Sequence, residues 1–140
     1  MQTVSCSTGH SSPSTILLVE DEPFVREATC SILKSAGFSV LPAADAVEAV
    51  KLYAECCQPV DLVITDMVLP GRTGRQLGED LRQREPQLKI LVTSGYSAAE
   101  YDIEDPVTRF YFLAKPYSRR SLIEKVEKIL APSHTSIQAS

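Results

Sequence analysis

The sequence predicts an α/β fold in which five parallel strands form one doubly wound sheet. Short apolar runs alternate five times with longer stretches of helical periodicity, which is typical of consecutive βα units. The 140 residues, 44% of them apolar, suffice for one sizeable core, and we expect no second folded domain among them. The expected order of the five strands across the sheet is 2-1-3-4-5.

Two βα units open the predicted domain. The first strand is the apolar run 16–19, and the helix after it continues until Gly37, a residue type that commonly ends helices. The second strand covers residues 38–41. Asp45 then stands where a helix N-cap is expected, because apolar residues at helical spacing follow it.

The third unit begins with a strand at residues 62–64, which leads into Thr65-Asp66. A turn at Pro70-Gly71 and a helix that Pro86 ends complete this unit. The fourth strand covers residues 90–92.

The last two helices differ in the strength of their sequence patterns. The segment 97–105 is polar and only weakly periodic, so we expect a short, mobile helix there. The fifth strand is the run 110–113. The final helix has a strong apolar stripe between Leu122 and Leu130.

The folded unit is expected to span residues 14–131, with disordered tails at 1–13 and 132–140 that are rich in Ser. The chain has no apolar run of membrane-spanning length and no signal-like segment, so we expect a cytoplasmic protein without membrane insertion. A net charge of −4 with scattered basic residues argues against direct nucleic-acid binding. His10 and His134 fall in the tails and receive no catalytic role.

Cysteine spacing excludes two further classes of site. The four cysteines include a vicinal pair but no C-x-x-C motif, so neither a zinc site nor a disulfide framework is indicated. Reduced thiols that pack as small core residues on helices are the simpler interpretation. The four are Cys6, Cys30, Cys56 and Cys57.

Three carboxylates stand at the ends of two strands. Glu20 and Asp21 follow the first strand, and Asp66 follows the third. These strands are neighbours in the predicted order, and ligands bind beyond their carboxyl ends at the point where the order reverses. Clustered acids repel one another, and a divalent cation that binds oxygen ligands would compensate their negative charge. Mg²⁺ is the favoured candidate. Any one of these acids could instead be a helix cap, an interpretation that suits Glu22 and Asp45.

The fourth and fifth strands add a hydroxyl and a cation. Thr93-Ser94 ends the fourth strand, and Lys115 follows the fifth. A hydroxyl and an ammonium directed at one carboxylate could stabilise the oxygens of a phosphoryl group attached to it. Taken alone, each is a weak signal, since such hydroxyls often cap loops and a single Lys is usually a surface charge.

Four motifs together resemble the response-regulator receiver family, over the whole predicted folded region. They are Leu17-Leu18-Val19-Glu20-Asp21, Thr65-Asp66-Met67 with Pro70-Gly71 and Gly74, Thr93-Ser94-Gly95-Tyr96, and Lys115-Pro116. The resemblance implies a flavodoxin-like (βα)5 fold. It further implies two-component signalling, in which an aspartate accepts a phosphoryl group from a histidine kinase or a histidine phosphotransfer domain and the domain then controls a downstream protein target.

Residue roles carried over from this resemblance make Asp66 the phosphoacceptor. The metal ligands would be Asp21, Asp66 and the main-chain carbonyl of Val68, with Glu20 acting mostly through bound water. Ser94 matches the family's hydroxyl switch residue better than Thr93 does. Lys115 would pair with phosphoryl oxygens.

The resemblance also bears on conformation and context. Phe112 falls where an aromatic ring changes rotamer on activation, and Lys115-Pro116 is expected to be a cis peptide. The amino-acid sequences of the motifs are similar to those of receivers attached to hybrid histidine kinases, although free-standing receivers have such motifs too. Val68 cannot orient an attacking water and a bulky Tyr96 can obstruct one, so we expect slow self-dephosphorylation.

Three alternative functions fit the sequence less well. A haloacid-dehalogenase-type phosphatase has a second acid two positions after its nucleophile, where this chain has Val68. A flavin-binding or nucleotide-binding protein would need a glycine-rich phosphate loop, which this chain lacks, and Asp21-Glu22-Pro23 would repel phosphate. An interaction module that is never phosphorylated would not need the full acidic site. We therefore expect a phosphoacceptor switch that catalyses only its own phosphorylation and dephosphorylation, rather than an enzyme acting on external substrates.

Overall fold

The computed structural model describes residues 13–95 and 110–131. Its strands are β1 (Thr15–Val19), β2 (Ser39–Ala43), β3 (Leu62–Asp66), β4 (Val68–Leu69), β5 (Arg72–Thr73), β6 (Lys89–Ser94) and β7 (Phe110–Ala114). Its helices are α1 (Pro23–Ser35), α2 (Ala46–Glu55), α3 (Gly74–Arg82) and α4 (Arg119–Leu130).

The main sheet has five parallel strands in the order β2-β1-β3-β6-β7. This is the predicted order 2-1-3-4-5 once the two short strands β4 and β5 are set apart, because those two form a separate antiparallel hairpin. The predicted fold class is therefore confirmed. Strand order reverses between β1 and β3, so the carboxyl ends of these neighbours form the crevice in which such sheets bind ligands.

Apolar side chains fill both faces of the sheet, which explains why the central strands are almost continuously apolar. One core cluster joins the sheet to α2 and α3, and includes Leu77 and Leu81. The other joins it to α1 and α4, and includes Leu33, Leu122 and Val126. Burial on both faces fixes the register of the central strands, because a slip by one residue would exchange the side chains of the two faces.

Helix ends agree with their predicted capping residues. Glu22 is the N-cap of α1 and accepts a hydrogen bond from the backbone N–H of Phe24 (3.1 Å). Asp45 caps α2 by accepting from the N–H of Glu48 (2.8 Å). Gly37, with φ of 100°, follows the C-cap of α1 in a conformation that side chains disfavour.

Several strand and helix limits differ from the predicted ones. The third and fourth predicted strands are longer in the structure, where they become β3 and β6, because Asp66 and Ser94 still take part in the sheet. The second predicted strand shifts to include Pro42, which is tolerated because β2 lies at the edge of the sheet. Helix α3 ends at Arg82, four residues before the predicted stop at Pro86.

Some predictions fall on residues outside the described ranges. They concern the helix at 97–105, both tails with their histidines, Cys6 and Tyr96. Among the described cysteines, Cys30 and Cys56 are half-buried beside the two cores and Cys57 is exposed. No helix in the described ranges is both long and apolar enough to span a bilayer.

Candidate functional site

The predicted carboxylates meet at the crevice between β1 and β3. Glu20 and Asp21 directly follow β1, and Asp66 is the last residue of β3. One carboxylate oxygen from each of the three lies within 4.8 Å of the other two. Glu20 and Asp66 are buried, with 3% and 6% of their surfaces exposed, whereas Asp21 is exposed. The convergence predicted from strand order is therefore present.

Glu20 is fixed by hydrogen bonds to both oxygens of its carboxylate. The backbone N–H of Glu22 donates to Oε2 (3.1 Å), and Lys115 Nζ donates to Oε1 (3.0 Å). Its backbone is fixed as well, because the N–H donates to the Ala43 carbonyl (3.0 Å) and the carbonyl accepts from Arg26 Nη1 (2.8 Å). Arg26 lies in the second turn of α1, so the helix supports the loop that carries two of the acids.

Burial and the neighbouring Asp66 change the proton affinity of Glu20. Burial is the largest cause and Asp66 adds to it as hydrogen-bond partner and as like charge, so that the pKa of Glu20 is raised from 4.5 to about 7. Lys115 and the N–H of Glu22 lower this pKa without cancelling the increase. Negative charge therefore remains uncompensated here, and a hard cation with oxygen ligands would stabilise it. The donor set fits Mg²⁺.

Lys115 links the two buried acids. Its Nζ lies 3.0 Å from Glu20 Oε1 and 2.5 Å from Asp66 Oδ1. Burial opposes its charged form, but the hydrogen bonds to Asp66 and Glu20 raise the pKa of Lys115 overall. The backbone N–H of Lys115 donates to the Ser94 carbonyl (2.7 Å), which extends the pairing of β6 with β7. The predicted cis peptide between Lys115 and Pro116 is confirmed.

The hydroxyl that contacts Asp66 belongs to Thr93, the residue that the sequence interpretation ranked below Ser94. Thr93 Oγ1 donates a hydrogen bond to Asp66 Oδ1 (3.0 Å). The two residues are register partners on β6 and β3. Sequence reasoning favoured Ser94 for the hydroxyl, on the strength of the small residue after it. Ser94 is also buried and near the site, and its predicted switching role stays a prediction.

A cavity of about 410 Å³ opens beside the Asp66 carboxylate. It is lined by Asp66, Met67, Val68, Thr93, Ser94, Gly95 and Lys115. Val68, the predicted source of a carbonyl ligand, lies on β4 at this cavity and is 63% exposed. The cavity is large enough for a phosphoryl group, and its lining includes the hydroxyl groups of Thr93 and Ser94 and the ammonium of Lys115.

Comparison with known proteins decides the family. The chain matches the family model for the response regulator receiver domain over residues 16–127. The chain belongs to the response regulator receiver domain family. This receiver domain is 37% identical over 128 residues to the sensor kinase CckA of Brucella abortus (strain 2308). The match covers 91% of this chain but only 14% of the kinase.

Other relatives are closer in size to the receiver domain itself. The response regulator receiver protein CpdR of the same Brucella strain is 30% identical over 116 residues, which are 82% of this chain and 95% of CpdR. The crystal structure of the receiver domain from hybrid histidine kinase CckA superposes with a TM-score of 0.72 at 33% identity, covering 84% of this chain and 99% of that one.

A further solved structure of similar fold is a complex with Mg²⁺-BeF. The response regulator TrrA from Thermotoga maritima, in complex with Mg²⁺-BeF, has a TM-score of 0.70 and 30% identity, with 84% of this chain and 99% of that one covered. Receiver domains of two-component systems are therefore what this chain resembles both in sequence and in fold.

The receiver structure brings together four of the predicted site residues and leaves three at its margins. Glu20, Asp21, Asp66 and Lys115 converge at one point. Val68 and Ser94 line the adjacent cavity. Phe112 is 8% exposed and its ring packs in the core beside α2 and α3. The rotamer change predicted for Phe112 stays a prediction.

Gly74 has a role in the receiver site that only the coordinates explain. Its N–H donates to the Met67 carbonyl (2.8 Å), so the start of α3 lies against the backbone at the end of β3. A Cβ on this glycine would lie 2.0 Å from the Asp66 carbonyl oxygen. Only a glycine allows this approach, and the sequence signal for it was its place in the Asp66 motif.

Tyr117 connects the loop after β7 to helix α1 of the receiver. Its hydroxyl lies 2.9 Å from the hydroxyl of Thr29, which is 2% exposed. Tyr117 follows the cis peptide of Lys115 by one residue, so this contact holds the loop that presents Lys115. Sequence reasoning missed the pair, because the two residues are 88 positions apart and Thr29 belongs to no motif.

Proposed function

We propose that Asp66 accepts a phosphoryl group from a phosphohistidine of a sensor histidine kinase or a histidine phosphotransfer domain, in a Mg²⁺-dependent reaction. The observation that carries this proposal is the place of the Asp66 carboxylate. It lies between two further acids and Lys115, and it opens onto a cavity of about 410 Å³. The membership of the chain in the receiver family supports it.

Acidic residues and one carbonyl would hold the metal. The proposed ligands are Asp21, Asp66 and the carbonyl of Val68, with Glu20 acting through water. When bound, Mg²⁺ would supply positive charge that neutralises phosphoryl oxygens. TrrA, a relative of 30% identity, has been crystallised with Mg²⁺-BeF, which supports the assignment.

In the proposed reaction, an Asp66 carboxylate oxygen forms a bond to phosphorus as the bond between phosphorus and the imidazole nitrogen breaks. The electron pair of that bond stays on the imidazole, which leaves as the neutral base after taking up a proton. Lys115 Nζ already contacts Asp66 Oδ1, and a rotation of its flexible side chain would bring it to a phosphoryl oxygen. The rest of the rate enhancement comes from positioning and electrostatics.

The proposed readout is a shift between two conformations. Ser94 would move toward the new phosphoryl oxygens, and Phe112 would change rotamer with it. Ser94 pairs with Ala114, and Phe112 pairs with Val92 two positions earlier on the same two neighbouring strands, so a displacement at the end of β6 would act close to Phe112. The altered surface would then control a downstream protein target.

The proposed partner indicates the cellular location of the protein and the kinds of protein in which the domain acts. We place the folded receiver at residues 14–131 and the protein in the cytoplasm, where kinases draw phosphoryl groups from ATP. Attachment to a hybrid kinase is one context, since CckA carries such a receiver, and a free-standing regulator such as CpdR is the other. The receiver would catalyse only its own phosphorylation and dephosphorylation.

Phosphorylation with small donors tests the proposal. Phosphoramidate contains the N–P bond of the natural donor class, and acetyl phosphate supplies a second leaving group. Intact mass after incubation with either donor and Mg²⁺ should show one added phosphoryl group. Asp66→Asn should abolish the adduct, while the matched control Asp80→Asn, which removes an exposed acid on α3, should leave it unchanged. Equal labelling of the Asp66→Asn variant would refute the site.

A further inference from the structure

We infer that Thr93 shortens the lifetime of phosphorylated Asp66 by stabilising the free carboxylate that hydrolysis regenerates. The idea builds on the proposed function, since it concerns the same aspartate, and it gives a role to Thr93, which the sequence interpretation had ranked below Ser94. The hydrogen bond from Thr93 Oγ1 to Asp66 Oδ1 (3.0 Å) is the observation behind it.

The position of the Thr93 hydroxyl is fixed by the sheet. Thr93 and Asp66 are register partners on β6 and β3, so their side chains project from the same face next to one another. Thr93 is 2% exposed, which leaves its hydroxyl proton little access to water. Its other acceptor within reach is the Thr65 carbonyl at 3.5 Å, a much longer contact than the one to Asp66. The single hydroxyl proton therefore goes to the carboxylate.

Phosphorylation changes what this hydroxyl can bind. The free Asp66 carboxylate shares a full negative charge between two oxygens, and hydrogen bonds to an ionised acceptor are roughly twice as strong as neutral ones. In the acyl phosphate the same carbon bears one ester oxygen and one carbonyl oxygen, both uncharged. Whichever oxygen carries the phosphorus, the Thr93 hydrogen bond is weaker in the phosphorylated state. Thr93 thus favours the unphosphorylated form.

The same difference acts on the rate of hydrolysis. Attack by water forms a bond from the water oxygen to phosphorus, while the bond between phosphorus and the Asp66 oxygen breaks. The electron pair of the broken bond returns to the carboxylate, and the water proton leaves with inorganic phosphate or solvent. Negative charge grows on the Asp66 oxygens along this path, so a donor already aimed at them lowers the barrier.

Lys115 cannot substitute for Thr93 in this role. Both contact Asp66 Oδ1, but the lysine side chain is long, and it can follow the negative charge from the carboxylate to the phosphoryl oxygens. The Thr93 hydroxyl sits one bond beyond Cβ on a buried strand and has no such reach. Of these two donors, Thr93 alone keeps its preference for the carboxylate in both states.

Removal of the hydroxyl without loss of volume tests the inference. Thr93→Val replaces the hydroxyl by a methyl group, and Thr93→Ser is the matched control that retains it. Each protein is phosphorylated with phosphoramidate and Mg²⁺, freed of donor, and followed by intact mass. We expect the Thr93→Val adduct to decay about five-fold more slowly than wild type, which corresponds to part of the strength of one hydrogen bond to an ionised acceptor. Thr93→Ser should decay at the wild-type rate.

Further measurements separate this effect from a general disturbance of the site. A loosened site would label slowly, whereas loss of the hydroxyl alone should raise the labelled fraction reached at a fixed donor concentration. If the valine variant does not fold, Thr93→Ala compared with Thr93→Ser gives the same contrast between two small side chains. Decay of the hydroxyl-free variant at or above the wild-type rate would overturn the inference. Absence of any adduct on wild type would instead refute the proposed function itself.

Discussion

The charge on Glu20 is the most sensitive single-residue property of the site. Burial beside Asp66 raises its pKa from 4.5 to about 7. A group whose pKa is higher in the folded than in the unfolded protein binds its proton more tightly when folded. The resulting stabilisation is complete below pH 4.5 and is lost as the pH rises through 7. The metal-free protein should therefore lose stability across this window because of Glu20.

Glu20→Gln should remove that loss. Each unit by which folding raises a pKa contributes about 1.4 kcal/mol. Between pH 4.5 and pH 7, the free energy of unfolding of the wild type should therefore fall by about 3 kcal/mol more than that of the variant. Urea unfolding with EDTA, at a series of pH values, measures the difference. Glu124→Gln, which alters an exposed acid on α4, is the control and should follow the wild type. Parallel wild-type and Glu20→Gln curves would show that Glu20 titrates normally.

Gly74 is a second residue with a sharp expected effect. Because an added Cβ would meet the Asp66 carbonyl oxygen at 2.0 Å, Gly74→Ala must displace the backbone at the end of β3 or the start of α3. We expect a loss of about 3 kcal/mol of stability, at the upper end of overpacking effects, together with slower labelling of Asp66. Gly95→Ala has open space around its Cβ and should be nearly neutral in urea unfolding. Equal stability of the two variants would contradict this close approach.

The carboxylates of the site could be predicted from sequence, but the choice of hydroxyl could not. Glu20, Asp21 and Asp66 directly follow apolar runs, so strand order alone brings them together. Thr93 and Ser94 are adjacent, and adjacent strand residues point to opposite faces of a sheet. Which of the two faces Asp66 depends on the exact register between β6 and β3, because a shift by one residue would exchange them. That register is fixed by packing across the whole sheet.

At the scale of elements, the contact between Thr29 and Tyr117 couples α1 to the loop between β7 and α4. Burial raises the pKa of the Tyr117 hydroxyl, so it remains a neutral hydrogen-bonding group at ordinary pH. Tyr117→Phe and Thr29→Val each remove one hydroxyl, and each leaves the other group buried without its partner. A double-mutant cycle in urea should give a coupling of about 1 kcal/mol.

The same variants test whether this contact positions Lys115. Tyr117→Phe should slow labelling of Asp66 by phosphoramidate without changing its site, because Lys115 lies two residues away in the tethered loop. Thr29→Ser keeps the hydroxyl and should label at the wild-type rate. Additive losses of stability in the cycle, with unchanged labelling, would show that the two hydroxyls act independently of each other and of Lys115.

Element limits were harder to predict than element order. The apolar runs placed the third and fourth strands at residues 62–64 and 90–92, whereas β3 and β6 continue in the sheet through the polar residues Asp66 and Ser94. Backbone pairing does not require an apolar side chain, and functional strand ends replace apolar residues with polar ones. The hairpin of β4 and β5 was missed because each strand has two residues, too few to show a periodicity.

At the scale of the whole molecule, the sheet converts distant sequence positions into one site. Residues 20, 66, 93 and 115 come from the ends of four parallel strands, and their separation is set by the spacing between neighbouring strands. Alternation of apolar runs and helical stretches was enough to predict this arrangement, because parallel strands joined by helices end at the same edge. Ligand binding at that edge therefore requires that the entire domain be folded.

Mg²⁺ should accordingly raise the global stability of the protein. A ligand that binds only the folded state adds about 2.7 kcal/mol when present at about 100 times its dissociation constant. Urea unfolding at about pH 8, above the pKa of Glu20, with and without Mg²⁺, measures this gain. Removal of a direct ligand should reduce the gain more than removal of an acid that acts through water.

Asp21→Asn should thus lose more of the Mg²⁺-dependent stability than Glu20→Gln. Both oxygens of Glu20 already accept hydrogen bonds, from Lys115 and from the N–H of Glu22, so turning either oxygen to the metal would break one of them. Asp21 is exposed at the rim of the crevice, where its carboxylate can turn to the metal without such a loss. Asp45→Asn, at the cap of α2, controls for the loss of one acid at this edge. A larger loss of the Mg²⁺ effect in Glu20→Gln would exchange the roles of the two acids and make Glu20 the direct ligand.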